Sequence, residues 1–387
     1  MEHENNGEPR SVPCMLMRGG TSRGPFFLAS DLPADSGARD RVLLAAMGSP
    51  DQRQIDGLGG AHALTSKAGI VRRSTRDGVD LDFLFAQLQP GSDSVDTTAN
   101  CGNMLAAVVP FALESGLVAA QGDTTTVRVL TLNTDMQCDI TVQTRGGKVC
   151  YGGNARIDGV PGTAAPIAIN FLDTAGSVCA SLLPTGSARD RVEVDGVAID
   201  VTCIDNGMPM VLMRAEDLGR SGDESVAALN ADTALKARLE ALRLRAGHLM
   251  GLGDVSARNY PKMCLLAAPR HGGSIGTRCF IPHTCHDAIG VLAAVTVATA
   301  CVLPGSVAHP LTAGAAAGAA AATDAASALA PTISVEHPSG EFSVALGLDP
   351  AEPGRVVRAA LLRTARLIMR GEVMVPAAAW ASAGAAA

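Results

Sequence analysis

The segment Asn100-Cys101-Gly102-Asn103 sets a thiol at the head of an apolar stretch running from Gly102 to Ser115. If that stretch is a helix, its unpaired amides and dipole favour a thiolate or a bound carboxylate at its start. A cysteine so placed can act as an acid or base near neutrality. The competing reading is an ordinary asparagine cap with a packed cysteine beside it. Lys67 is the second reactive candidate, closing Gly59-Gly60-Ala61-His62-Ala63-Leu64-Thr65-Ser66-Lys67 at the mouth of an expected strand, Ala68 to Val71. Desolvation beside other cations favours the uncharged amine, the form in which a lysine accepts a proton. Its bland alternative is a surface lysine at a strand end.

Two further stretches carry donors. The turn Arg18-Gly19-Gly20-Thr21-Ser22-Arg23-Gly24 follows an expected strand, Pro13 to Met17, and offers amides and hydroxyls to a carboxylate. It lacks the spaced Gly-Lys-Ser/Thr of a phosphate loop, and GLGGAHALTSK fails the same test. The run from Arg278 to Asp287 holds four Cys/His within eight residues (Cys279, His283, Cys285, His286). No distal pair matches it, so a zinc site is not expected. Arg278, His283 and His286 are read instead as positive charge and hydrogen bonds near a second helix start.

The scaffold that must hold these groups is a repeat. Arg214-Ala215-Glu216-Asp217-Leu218 echoes Leu28-Ala29-Ser30-Asp31-Leu32 at an offset of 186, and Leu292-Ala293-Ala294-Val295 echoes Leu105-Ala106-Ala107-Val108 at 187. Gly251-Leu252-Gly253 echoes Gly57-Leu58-Gly59, and Pro261-Lys262 stands as Ser66-Lys67 does, each before an apolar strand. Ordered echoes near half the chain length indicate a duplicated domain. The expected limits are 1–186 and 187–375, with a seam from Pro184 to Val192 and a tail, 376–387, packing back on the first domain. The offset of 187 carries Cys101 onto Ala288, so a racemase with two opposed thiols is disfavoured. Lys262 becomes the counterpart of Lys67, one serving as base and the other as carboxylate anchor. The turn from Asp205 to Pro209 is expected to face the glycine-rich turn across an interdomain cleft.

Each half has short alternating stretches that read as strands, among them Thr126 to Leu132, Asp139 to Gln143, Val192 to Cys203 and Cys264 to Ala268. Each also has one helix apolar almost all round, Gly102 to Ser115 and Ala288 to Leu303, which must be wrapped on every side. A curved, mainly antiparallel sheet rolled around a central buried helix, twice, meets that need, giving an α+β fold of two pseudo-symmetric domains. Amphipathic helices are expected at the periphery, over Ser225 to Ala246 and Arg355 to Arg370, and residues 308–330 form a low-complexity Ala-rich connection.

Composition narrows the function. In 387 residues, hydrophobic types make up 47% and charged types 18%, as in a packed globular chain. The net charge of −7 argues against a nucleic-acid or anionic-membrane surface, which needs clustered Lys and Arg. The N-terminus has no secretory pattern, and Ala288 to Leu303 is too short to span a bilayer. Scattered cysteines then read as thiols of a reducing cytoplasm, mostly small core hydrophobes.

Taken together, LMRGGTSRGPFFL, GSPDQRQIDGLGG, LTSKAGIV, NCGNML, PFALESGLV, DNGMPMVL, LMGLGDV, PKMCLLAAP and TRCFIPHTCHDAIGVL closely resemble the 4-oxalomesaconate tautomerases. These form one group with 2-methylaconitate cis-trans isomerase, within the diaminopimelate epimerase-like superfamily. The resemblance runs from about Val12 to about Val375. It implies a cofactor-free, metal-free isomerase with its site between two domains, acting on a small polycarboxylate in bacterial breakdown of aromatic acids such as gallate or protocatechuate. It places the catalytic lysine at Lys67 and the active-site cysteine at Cys101. Substrate contacts are implied at Gly20, Thr21, Ser22, Gly102, Asn103, Met208, Lys262 and Arg278, with Arg18, Ser66, Asn100, His283 and His286 completing the expected set. The compact Gly48-to-Gly57 stretch matches the oxalomesaconate branch, and Arg23 stands where the family usually has Lys, keeping charge with a different reach. The implied reaction is a 1,3-proton shift: Lys67 removes an allylic proton, and Cys101 either returns one at the far carbon or polarises the intermediate. The rivals are a 2-methylaconitate isomerase and a non-catalytic carboxylate-binding protein. A cytoplasmic location is expected, with no nucleic-acid or membrane partner; a homo-oligomer is left open.

Overall fold

The structure is a computed structural model describing residues 7–98, 100–312, 332–351 and 356–380. Most of the Ala-rich connection and the last seven residues of the tail lie outside the described residues. The chain forms two compact units, Met1–Leu172 with Arg363–Ala387, and Asp173–Leu362.

The strands are β1 (Arg10–Gly19), β2 (Ser22–Leu28), β3 (Lys67–Arg73), β4 (Leu81–Leu88), β5 (Val95–Asp96), β6 (Thr124–Thr131), β7 (Met136–Arg145), β8 (Lys148–Val149) and β9 (Ile167–Phe171). They continue as β10 (Asp190–Val194), β11 (Val197–Asp205), β12 (Pro209–Arg214), β13 (Lys262–Ala267), β14 (Ile275–Phe280), β15 (Thr332–His337), β16 (Gly340–Leu348), β17 (Val356–Arg363) and β18 (Ala365–Val375). The helices are α1 (Ser36–Met47), α2 (Gly102–Leu105), α3 (Val108–Glu114), α4 (Val226–Ala231), α5 (Thr233–Leu249) and α6 (Val291–Val302).

The duplication is visible in the pairing. In the first unit β18–β1 and β1–β2 are antiparallel, β2–β3 parallel, β3–β4 antiparallel, β4–β6 parallel, and β6–β7 and β7–β9 antiparallel. The second unit repeats that order of senses from β10 through β17. Mainly antiparallel sheets thus bend around buried helices: α3 touches β3, β7 and β18, and α6 touches β11, β12, β15 and β16. The α+β class holds.

Four expected elements differ. The segment expected as an amphipathic helix from Arg355 to Arg370 is strand from Val356 on, because β18 pairs with β1 from Arg10↔Val375 to Gly19↔Ala365. Long-range pairing overrides local propensity there. It also assigns the C-terminal strand to the first unit, where it takes the place that β10 holds in the second, and the units divide after Leu172 rather than between Pro184 and Val192. Beyond it, Trp380 packs on the core made by α1, with the Arg10 guanidinium 5.2 Å from its ring. The expected strand from Val192 to Cys203 is the β10–β11 hairpin, turning at Asp195 (φ 52°) and Gly196 (φ 74°), a sequence suited to two positive φ angles.

The long helix expected from Ser225 is two, meeting at Asp232, whose side chain accepts from the Leu235 amide. The first central helix is also broken, between α2 and α3. Pro110 has no N–H to offer the Ala106 carbonyl and its ring crowds that carbonyl. Instead Ala106 and Ala107 close tighter bonds to Asn103 and Met104, and the ladder restarts with Phe111 N to Ala107 O at 2.9 Å.

Candidate active site

Register decides which side chains meet, since neighbours across a pair share a face and successive residues alternate. Lys67 lies opposite Gln87, and Gly69 opposite Phe85. Phe26 lies opposite Gly69, Met17 opposite Gly24 and Gly19 opposite Ser22. Gly19, Ser22, Gly24, Lys67, Phe85 and Gln87 therefore share one face, the face that α2 covers. A Cβ built on Gly24 would stand 1.8 Å from the Lys67 carbonyl oxygen and 3.3 Å from Met104 Cε, so only glycine lets β2 approach there.

Lys67 is buried, 7% exposed. Its Nζ donates to Gln87 Oε1 and lies 4.9 Å from the Phe85 ring centre. Gln54, with φ of 49°, ties the preceding loop together: its Oε1 accepts from Ala61 N at 2.9 Å and from Ser66 Oγ at 2.7 Å. Ser66 is thus spent on loop structure, and with Arg18 and Arg23 it belongs to the face opposite Lys67. Arg18 Nη1 donates to Gly20 O at 2.8 Å, Thr364 O at 3.1 Å and Thr364 Oγ1 at 3.0 Å. Burial, with Arg366 nearby, lowers the pKa of its guanidinium.

The glycine-rich turn packs directly on the start of α2. A Cβ on Gly20 would fall 2.1 Å from Asn103 Oδ1, and one on Gly19 would fall 2.3 Å from Asn103 O. Asn103 Nδ2 donates to Thr21 Oγ1 at 2.9 Å. Cys101 is the N-cap residue, a half-buried free thiol that accepts no cap bond, and Gly102 opens the helix. Asn100 turns away, its Nδ2 donating to Thr131 Oγ1 at 3.0 Å and to Thr134 Oγ1, so it does not cap. Because α2 spans only Gly102–Leu105, the dipole argument for Cys101 shrinks to one turn. Ser22 Oγ, Arg23 Nε, Asn100 Oδ1 and Asn103 Oδ1 are buried without hydrogen-bond partners. Such atoms are costly unless a ligand or water meets them; Ser22 Oγ, on the Lys67 face, can donate to a carboxylate oxygen, whereas the two amide oxygens can only accept.

Most other cysteines are packing. Burial pushes the Cys14 thiol up to about 11, and burial with nearby Asp190 pushes Cys203 up to about 12, so both stay protonated near neutrality.

In the second unit, Lys262 opens β13 opposite Met210. Its Nζ lies 3.7 Å from a Cβ built on Gly290, the N-cap of α6. Matching cap to cap, the counterpart of Cys101 is Gly290 rather than Ala288, and it too carries no thiol. Met208 sits in the turn before β12 and its carbonyl accepts from Thr296 Oγ1 at 3.3 Å. Arg278 pairs with Leu265, on the face opposite Lys262. Its Nε donates to Glu224 O at 2.8 Å and its Nη2 lies 3.6 Å from Asp223 Oδ1. His283 Nδ1 lies 3.5 Å from Glu240 Oε2 of α5, and His286 Nδ1 accepts from Ala288 N at 2.8 Å. Among the described residues these groups do not gather around a common point.

The structure thus brings together Gly20, Thr21, Ser22, Lys67, Gly102 and Asn103 around the start of α2, with Cys101 at its cap, and Lys262 with the cap of α6. It sets Arg18, Ser66, Arg278 and His283 on other faces. Sequence reasoning missed Gln54 and Gln87. A single Gln at the buried end of the apolar strand LDFLFAQL was the available signal for the second.

The profile of the PrpF protein family matches residues 10–376. A 4-oxalomesaconate tautomerase of Pseudomonas putida is 54% identical over 369 residues, 95% of this chain and 97% of that protein. A (4E)-oxalomesaconate Delta-isomerase of Novosphingobium sp. is 54% identical over 365 residues, 94% of this chain and 98% of that protein. The crystal structure of a methylitaconate-delta-isomerase superposes with a TM-score of 0.82 at 32% identity, covering 98% of this chain and 99% of that one. With a family match across nearly its whole length and relatives this similar over both units, the chain belongs to the PrpF family.

Proposed function

We propose that this protein is an isomerase that carries out a 1,3-allylic proton shift on 4-oxalomesaconate, using side chains and no cofactor. The observation that carries the chemistry is Lys67, a buried lysine facing the start of α2 whose hydrogen-bond acceptor is a neutral amide. The substrate follows from the two relatives at 54% identity, both of which are named for oxalomesaconate.

In this reading the Lys67 amine takes the allylic proton, and the C–H electron pair moves into the conjugated carbonyl system as a dienolate. A proton added at the far carbon completes the shift, with Cys101 as its donor or as the group polarising the intermediate. Gly20, Thr21, Ser22, Gly102 and Asn103 hold carboxylate oxygens, so developing charge meets fixed donors. In the second unit Lys262 is the proposed carboxylate anchor, with Met208 as a further contact.

The test is turnover in deuterated water, followed by NMR, with 4-oxalomesaconate and 2-methylaconitate assayed side by side. Wild type should place solvent deuterium in the first acid and act on the second more slowly. Lys67→Met should fold normally by circular dichroism and lose about 1000-fold in kcat. Near-wild-type turnover by that variant would sink the role of Lys67, preference for 2-methylaconitate would move the substrate, and no deuterium in either acid would leave a binding protein.

A further inference from the structure

Gln87 stands opposite Lys67 in the β3–β4 register. Its Nε2 donates to the carbonyls of Ala63, Ser66 and Leu88, each at 3.1 Å. The two N–H bonds of the NH2 group, one of them shared, meet three carbonyl oxygens, so the amide cannot exchange its oxygen and nitrogen without facing acceptor against acceptor. Its Oε1 is thereby turned on Lys67 Nζ.

We propose that Gln87 is the positioning residue for Lys67: its anchored amide oxygen orients the amine toward the α2 face while leaving it no fixed counter-ion. The proposal rests on Lys67 being the proton-moving group. A carboxylate in that place would hold the proton on the lysine, whereas a neutral oxygen accepts from ammonium and amine alike. The other surroundings agree. β2 presents Gly24, β4 presents Phe85, and α2 presents Met104, with Cys101 at its cap as the one titratable group of that helix. In the loop before β3, His62 Nδ1 accepts from Leu64 N, Ser66 Oγ donates to Gln54, and the Arg23 guanidinium lies beside Gly60 and Thr65. Among the described residues Lys67 forms no ion pair. Among the described residues the second unit has no such device: Lys262 has Met210 on one side, and Ile281 follows Phe280 where the register would place a partner on the other.

A purely structural Gln87 would only staple the Ala63–Thr65 turn to β4, so the test needs readouts such a staple would not move. The lysines of the chain are Lys67, Lys148, Lys236 and Lys262. Lysine labelled at Cε therefore gives few NMR signals, and Lys67→Arg identifies the one that matters. In Gln87→Glu, the pH midpoint of the Lys67 signal should rise by about one unit, with the acid limb of kcat moving up alongside it. In Gln87→Met, which keeps the length without the acceptor, kcat should fall about 10-fold with KM within about twofold. A Lys67 signal titrating as in wild type in Gln87→Glu, or kcat within about twofold of wild type in Gln87→Met, overturns the proposal. If Gln87→Glu does not fold, Gln87→Met decides alone. If Lys67→Met stays active while both Gln87 results appear, the Gln87–Lys67 coupling stands and the catalytic reading of Lys67 fails.

Discussion

Lys67 and Lys262 open equivalent strands of two units built with the same order of pairings, and their neighbours differ in kind. Lys67 is packed against Phe85 and held by Gln87, with Gly24 close beside it. Lys262 is half-buried between Met210 and the bare N-cap at Gly290. The central helices differ as well. Pro110 cuts the first into α2 and α3, so Cys101 caps a single turn. At the matching position of α6 stands Thr299, whose Oγ1 returns to Val295 O at 2.9 Å and receives Asn206 Nδ2 at 2.8 Å within an unbroken helix. The two units thus share one strand order, but one holds a constrained lysine and a thiol at its helix start, and the other a half-buried lysine beside a helix N-cap without a thiol.

The largest expected effect tests the helices. Thr299→Pro should cost about 3 kcal/mol for the ladder and about 1 for the Asn206 bond, read as a lower urea midpoint. A midpoint like that of wild type would mean that Pro110 does not cause the break in the first unit. Next comes the paired change Gly24→Ala and Gly290→Ala. At Gly24 the new methyl meets a backbone carbonyl at 1.8 Å, and at Gly290 an amine end at 3.7 Å. The first should lose about 3 kcal/mol of stability, and the second less than about 0.5. Equal losses would erase the contrast in packing. The smallest effect is on the anchor: Lys262→Met should raise KM about 10-fold with kcat within about threefold. A collapse of kcat like that expected for Lys67→Met would show that both lysines move protons.

Legibility followed distance along the chain. The echoes between Leu28 and Arg214 and between Lys67 and Lys262 reveal the duplication because each reflects the same local element twice. The exchange of β18 for β10 left no such trace, since Arg366 to Val375 carries a helical pattern as readily as a strand pattern and only β1 chooses between them. The hairpin at Asp195–Gly196 is a local signal, since an Asp-Gly pair between two apolar stretches suits two positive φ angles. At the site, Arg18 and Arg278 have the charge of substrate anchors, but they sit one residue out of phase with Ser22 or Lys262, and in a strand that phase sends a side chain to the other face.

The sequence by itself determined the reactive pair Lys67 and Cys101 as candidates, the two apolar central segments and the repeat, because these rest on residue chemistry and on patterns within a few turns of chain. Tertiary structure decided which residues keep company with Lys67. Gln87 lies twenty residues away and meets it only through the β3–β4 register. Register is set by packing of whole faces, and no local signal in either strand contains it.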